Sequence, residues 1–134
     1  MLILISSVAL SGFLEGVKEQ EILDEVSKLT DAAEQLSIRG EGSEISLEID
    51  VPQGASVSFG ALPGREKHWP EDADNYCITV GGKSKFYPAA ASFSNPEVNG
   101  SVSLGPGKHR LLLKTKIDQG SGILFVLISR TGAD

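Results

Sequence analysis

The chain has 134 residues, a formal net charge of −6 and one cysteine. That length suits one domain with an appendage, and an acidic balance argues against nucleic acid, which rewards clustered cations. The lone Cys77 excludes an internal disulfide. Within Tyr76-Cys77-Ile78-Thr79-Val80 it reads as a small buried apolar side chain, an oxidised inter-chain pair being the other reading.

The first element is greasy. Met1 to Leu14 carries Leu2, Ile3, Leu4, Ile5, Val8, Leu10, Phe13 and Leu14 and no charge. As a helix this run spans about 21 Å, short of the ~30 Å hydrocarbon core of a bilayer. No Lys or Arg precedes it, as a secretory signal requires, and Ala9-Leu10-Ser11 is a weak small-x-small site. Three readings are open: a signal peptide, the apolar end of a longer helix, truncated or not at its true beginning, or an ordinary buried helix. The second is preferred, because no turn separates Leu14 from the charged stretch that begins at Glu15. Gly12 and Gly16 weaken a helix by about 1 kcal/mol each but do not stop it.

From Glu15 to Ile38 the pattern becomes amphipathic. Val17, Leu23, Val26, Leu29, Ala33 and Leu36 form one helical stripe, widened by Ile22, Ala32 and Ile38. Asp24 and Lys28 make an i,i+4 pair of the favourable order. Arg39 suits the helix dipole, and Gly40 is the expected C-terminal cap. The second half, around Leu29 to Ile38, is expected to pack on the rest of the chain. The first fourteen residues are apolar nearly all round, which points to shelter in lipid or among copies of the same chain.

After Gly40 the chain reads as strands. Glu44 to Val51 alternates with period two. Pro52-Gln53-Gly54 turns into Ala55 to Phe59. Tyr76–Val80, Gly81-Gly82 and Lys83–Tyr87 form a hairpin with a two-residue turn. Val98 to Leu104 is a further strand, and Lys108 to Ile117 and Gly122 to Ser129 form a last hairpin. Ile123 to Ile128 is apolar on both faces and is expected to be central, with a second sheet on one side and the helix on the other. The expectation is an α+β fold: a stem helix over 1–40 and, over 41–134, an antiparallel β-sandwich head of about seven strands. Glu44, Glu48 and Asp50 share one strand face, and Lys108, Arg110, Lys114 and Lys116 another. They read as cross-strand pairs in one sheet or as complementary surfaces on neighbouring subunits.

Several motifs carry a resemblance. They are Leu29-Thr30-Asp31-Ala32-Ala33-Glu34-Gln35-Leu36, the junction Gly40-Glu41-Gly42-Ser43, the strand ending Val51-Pro52-Gln53-Gly54, and Leu104-Gly105-Pro106-Gly107-Lys108-His109-Arg110-Leu111. In layout the chain resembles archaeal type IV pilin-like proteins, exported with a class III signal peptide. It departs from them in having no basic–small processing site before the apolar run and no early glutamate, the first acid being Glu15. Both departures make sense if the sequence begins inside the hydrophobic helix. The resemblance implies a surface filament subunit, with copies of itself as partners in a helical filament and the membrane as its station before assembly. A membrane-anchored binding module that does not polymerise is the alternative. In either case the cell surface is the expected location. Leu2, Ile3, Leu4, Ile5, Val8, Leu10, Phe13, Leu14 and Val17 would form the assembly helix. Burying the eight large apolar side chains up to Leu14 is worth about 12–24 kcal/mol as an upper bound.

No enzymatic chemistry is expected, and no cofactor or metal. His68 and His109 are the only histidines, and His109 shares a strand face with Leu111 and Leu113. No serine stands in a nucleophile-elbow context. The Gly-rich turns are not followed by the helix of a phosphate loop. The single methionine is Met1, so a haem site would need His ligands without an attachment motif. The irregular stretch from Gly60 to Asn75 holds the sole tryptophan. There Arg65, His68 and Trp69 read either as a plug for the head or as a contact loop for a glycan or surface ligand. Asp72, Asp74 and Asn75 lack the spacing of a calcium loop. Asn99-Gly100-Ser101 is a glycosylation sequon.

Overall fold

The computed structural model describes residues 2–60 and 73–131, with side chains from Gly16 onward. Among the described residues there is a single helix, α1 (Leu2–Arg39), which contains 38 residues and is therefore about 57 Å long. Ile22, Val26, Leu29, Ala33 and Leu36 are buried, at steps of four and three, which is the stripe of an amphipathic helix. Leu23 and Ala32 pack at its margins. Two of the expected stripe residues lie outside it: Ile38 is 79% exposed and Val17 39%. Ile38 stands two residues past Leu36, roughly 200° around the helix, and so points away from the core. Gly40 ends the helix as expected, its N–H donating to the Leu36 carbonyl at 3.1 Å.

Eight strands come after it among the described residues: β1 (Glu44–Val51), β2 (Ala55–Phe59), β3 (Asn75–Val80), β4 (Lys83–Pro88), β5 (Ser92–Ser94), β6 (Val102–Leu104), β7 (Gly107–Ile117) and β8 (Leu124–Arg130). They form two four-stranded sheets, ordered β1-β7-β8-β5 and β4-β3-β2-β6. The α+β class holds. The expectation of antiparallel pairing throughout does not, because β5 runs parallel to β8. The β5 strand was not anticipated: three residues with one apolar side chain leave no periodicity to read. The strand expected from Val98 shrinks to Val102–Leu104, because a turn occupies the residues before it.

The β3–β4 hairpin closes as predicted. Val80 pairs with Lys83, and Gly81 and Gly82 have φ of 58° and 80°, the doubly left-handed turn whose twist matches its strands. Alternation sets the inward faces. Ile49 and Val51, Leu111 and Leu113, Val126 and Ile128, and Phe93 come from the first sheet, and Ala55, Val57, Phe59, Ile78, Val80 and Leu104 from the second. The helix stripe joins that same cluster. The expectation that α1 would cover the far side of β8 is therefore corrected: the helix lies with Val126 and Ile128, while Phe125, on the opposite side of the strand, is buried outside the cluster. Phe59 and Phe93 meet edge to face across the two sheets, centroids 5.2 Å apart. Gly60 permits this approach: a Cβ there would lie 2.7 Å from the Phe93 carbonyl oxygen, at a φ of +95°.

Free sheet edges invite unwanted pairing, and those among the described residues are blunted. β4 carries Lys83, Lys85 and Pro88, and β5 and β6 are three residues long. On β1 the outward Asp50 N–H is taken by Glu25 of the helix at 2.7 Å.

Candidate functional site

The sequence places its strongest candidate in the apolar half of α1. The helix itself runs unbroken from Leu2. The side chains of Leu2, Ile3, Leu4, Ile5, Val8, Leu10, Phe13 and Leu14 lie outside the described residues. Val17, the last of the set, is 39% exposed, and Ile22 is the first buried residue among the described side chains of the helix. About 30 Å of helix axis separates Leu2 from Ile22. The strand beside the helix, β1, has eight residues and spans about 27 Å.

Around and beyond Ile22 the helix is fastened to both sheets. Lys85 of β4 reaches Glu19 at 2.5 Å, and the nearby carboxylate raises the Lys85 pKa. Glu25 pairs with Lys28 at 2.5 Å while accepting the Asp50 N–H. The Lys28 contact, aided by the Asp50 N–H, holds the Glu25 carboxyl below its ordinary range despite partial desolvation. The expected Asp24–Lys28 pair is thus replaced by Glu25–Lys28. Asp24 instead accepts from Gln20 Nε2 at 2.9 Å.

The helix-to-sheet junction is locked by one residue. Thr115 Oγ1 donates to the Gly40 carbonyl at 2.6 Å and accepts from the Ser43 N–H at 2.9 Å. Its backbone N–H donates to the Ser43 carbonyl and its carbonyl accepts from Gly42. Glu41 Oε2 accepts from the Ile117 N–H at 2.8 Å. Thr115 is 5% exposed, and its hydroxyl has both hydrogen-bonding roles filled. Sequence reasoning missed Thr115, because its partners lie more than 70 positions away.

The charged stripes belong to one sheet. Glu44 stands opposite Lys114, Glu48 opposite Arg110 and Asp50 opposite Lys108. The first two pairs form ion pairs at 3.7 Å, each exposed and worth roughly 0.2–1 kcal/mol. A shallow cleft of about 380 Å³ beside them is lined by Glu21, Asp24, Glu25, Asp50 and Pro52. Among the described residues no group of three or more His, Cys, Asp or Glu is arranged to hold a metal ion.

His109 is half-buried on the internal strand β7 opposite Ile49, and its Nε2 lies 2.7 Å from the Gly105 carbonyl oxygen. Cys77 is buried on the outward side of β3. Arg65, His68 and Trp69 lie outside the described residues, as does Asp72. Asn99 is exposed in the β5–β6 connection. Its backbone N–H donates to Asn95 Oδ1 at 3.1 Å, and Asn95 Nδ2 donates to Asn99 Oδ1 at 2.6 Å. This clasp closes over Val98, which sits at a φ of 56°, a strained conformation for a β-branched residue.

Comparisons with protein families, with curated proteins and with solved structures returned no match. Among the described residues no helix is long and apolar enough to cross a membrane.

Proposed function

We propose that this chain is a structural subunit of an extracellular type IV pilus-like filament, of the archaeal kind, with N-terminal helices packed in the filament core and β heads outside. One observation carries the reading: a continuous 38-residue helix carries a buried stripe from Ile22 to Leu36 among its described side chains, and its leading residues up to Leu14 bear no charged side chain. About 21 Å of greasy helix at that end needs cover. Identical helices in a bundle supply it, and the membrane supplies it before assembly. The two sheets, in this reading, are the leaves of a sandwich-like head that faces solvent. The tie at Thr115 suits a part that must transmit load from stem to head without a hinge. Arg65, His68 and Trp69 would contact a glycan or surface ligand, and Asn99 would carry a glycan. No catalytic role is proposed.

Electron microscopy of purified full-length protein tests this reading. Ordered filaments are expected, and Leu4→Asp or Leu10→Asp is expected to abolish them while the head stays folded. Single particles held in detergent micelles would favour the non-polymerising, membrane-anchored module instead. A monomeric full-length chain without detergent would refute both.

A further inference from the structure

Asn99 is followed by Gly100 in an exposed turn, and three features converge on that peptide unit. Gly100 has no Cβ to shield its backbone nitrogen. Its N–H donates to no acceptor among the described residues, whereas its carbonyl accepts from the Asn95 N–H at 2.9 Å. Asn95 Nδ2 donates at 2.6 Å to Asn99 Oδ1, the oxygen that turns negative when a nucleophile adds to the side-chain amide. A donor already aimed where charge develops lowers the barrier to such an addition.

We propose that Asn99 is a self-deamidation site and that Asn95 supplies the donor for its oxyanion. The Gly100 nitrogen gives its proton to water and its lone pair to Asn99 Cγ, forming a five-membered ring. The Cγ–Nδ2 bond breaks and the amide nitrogen leaves as ammonia. Water then opens the resulting succinimide at either carbonyl, yielding aspartate or isoaspartate. The balance is one water consumed and one ammonia released, with no redox step. The product places a new negative charge two residues from Glu97 and destroys the Asn-x-Ser acceptor. Deamidation and N-linked modification therefore compete for the same nitrogen.

The chain's two other asparagines are internal contrasts. Asn95 precedes Pro96, which has no N–H to lose. Asn75 is 8% exposed and sits in the β3 ladder.

The test is peptide mapping by mass spectrometry of the folded full-length chain during incubation in mildly alkaline buffer. After cleavage at Glu97, which separates Asn95 from Asn99, the peptide containing Asn99 should exchange NH2 for OH while those containing Asn75 and Asn95 keep their mass. Asn95→Asp retains an oxygen for the Asn99 N–H but removes the donor to Oδ1. It should slow conversion about tenfold, equivalent to ~1.4 kcal/mol of barrier. Gly100→Ala should slow it too; the added Cβ would lie 3.5 Å from Asn95 Nδ2, an ordinary contact. An Asn99 as durable as Asn75, or an Asn95→Asp chain converting at or above the wild-type rate, overturns the proposal.

Discussion

Thr115 and Glu25 show how single polar side chains hold the helix to the sheets. Replacing Thr115 by Val keeps the shape but removes the donor to Gly40 and the acceptor for Ser43. Leaving those part-buried backbone groups unmade should cost about 1–3 kcal/mol, read as a lower denaturant midpoint at unchanged slope. Glu25 makes a pH-dependent contribution. Its folded pKa lies below the ordinary 4.5. Its stabilisation is therefore fully present above the unfolded value and lost as pH falls through the folded one. Glu25→Gln should unfold more easily than wild type at neutral pH. The gap should narrow as pH drops below that ordinary value, as measured by denaturation at a series of pH values.

The elements meet through a few close approaches. The two sheets touch where Gly60 lets β2 run against the Phe93 backbone. Gly60→Ala adds a methyl group 2.7 Å from a carbonyl oxygen and forces a left-handed backbone on a residue with a Cβ. It should destabilise by at least about 1–3 kcal/mol, seen as a lower melting temperature. The Phe59–Phe93 contact should loosen with it, read from the near-ultraviolet signal of the aromatic rings. The helix, β1, β2, the β3–β4 hairpin and the β7–β8 hairpin were all legible, because each carries its own period, cap or turn. The β5 strand was not. Ser92-Phe93-Ser94 has no pattern of its own and becomes a strand because β8, some 30 residues later, offers it a ladder.

At the scale of the whole molecule, the filament reading gives the two halves of α1 different fates. Ile22 is fully buried, so Ile22→Asp places an unpaired charge in the shared core and should unfold the head. Leu4→Asp lies about 27 Å of helix earlier and should leave the melting temperature of the head unchanged while filaments disappear. Circular dichroism melts paired with microscopy separate the two outcomes. Equal loss of head stability in both variants would mean that the leading turns also belong to the core, and the filament reading would lose its support. Of the candidate site, the greasy leading run and the sequon were legible from composition and motif. The Asn95–Asn99 clasp was not, because its hydrogen bonds depend on the turn geometry around Val98.

By itself the sequence determined the elements that local physics can set: a helix with one buried stripe, capped by Gly40, strands whose alternation assigns each an inward face, and a Gly-Gly hairpin. It also set the cross-strand order of the charges once β1 and β7 paired. Only the tertiary structure decided which surfaces share a core, that α1 lies with both sheets rather than behind one, that β5 runs parallel to β8, and that Thr115 ties the stem. Those outcomes depend on contacts between residues tens of positions apart. Periodicity, being a property of neighbours, carries no information about them.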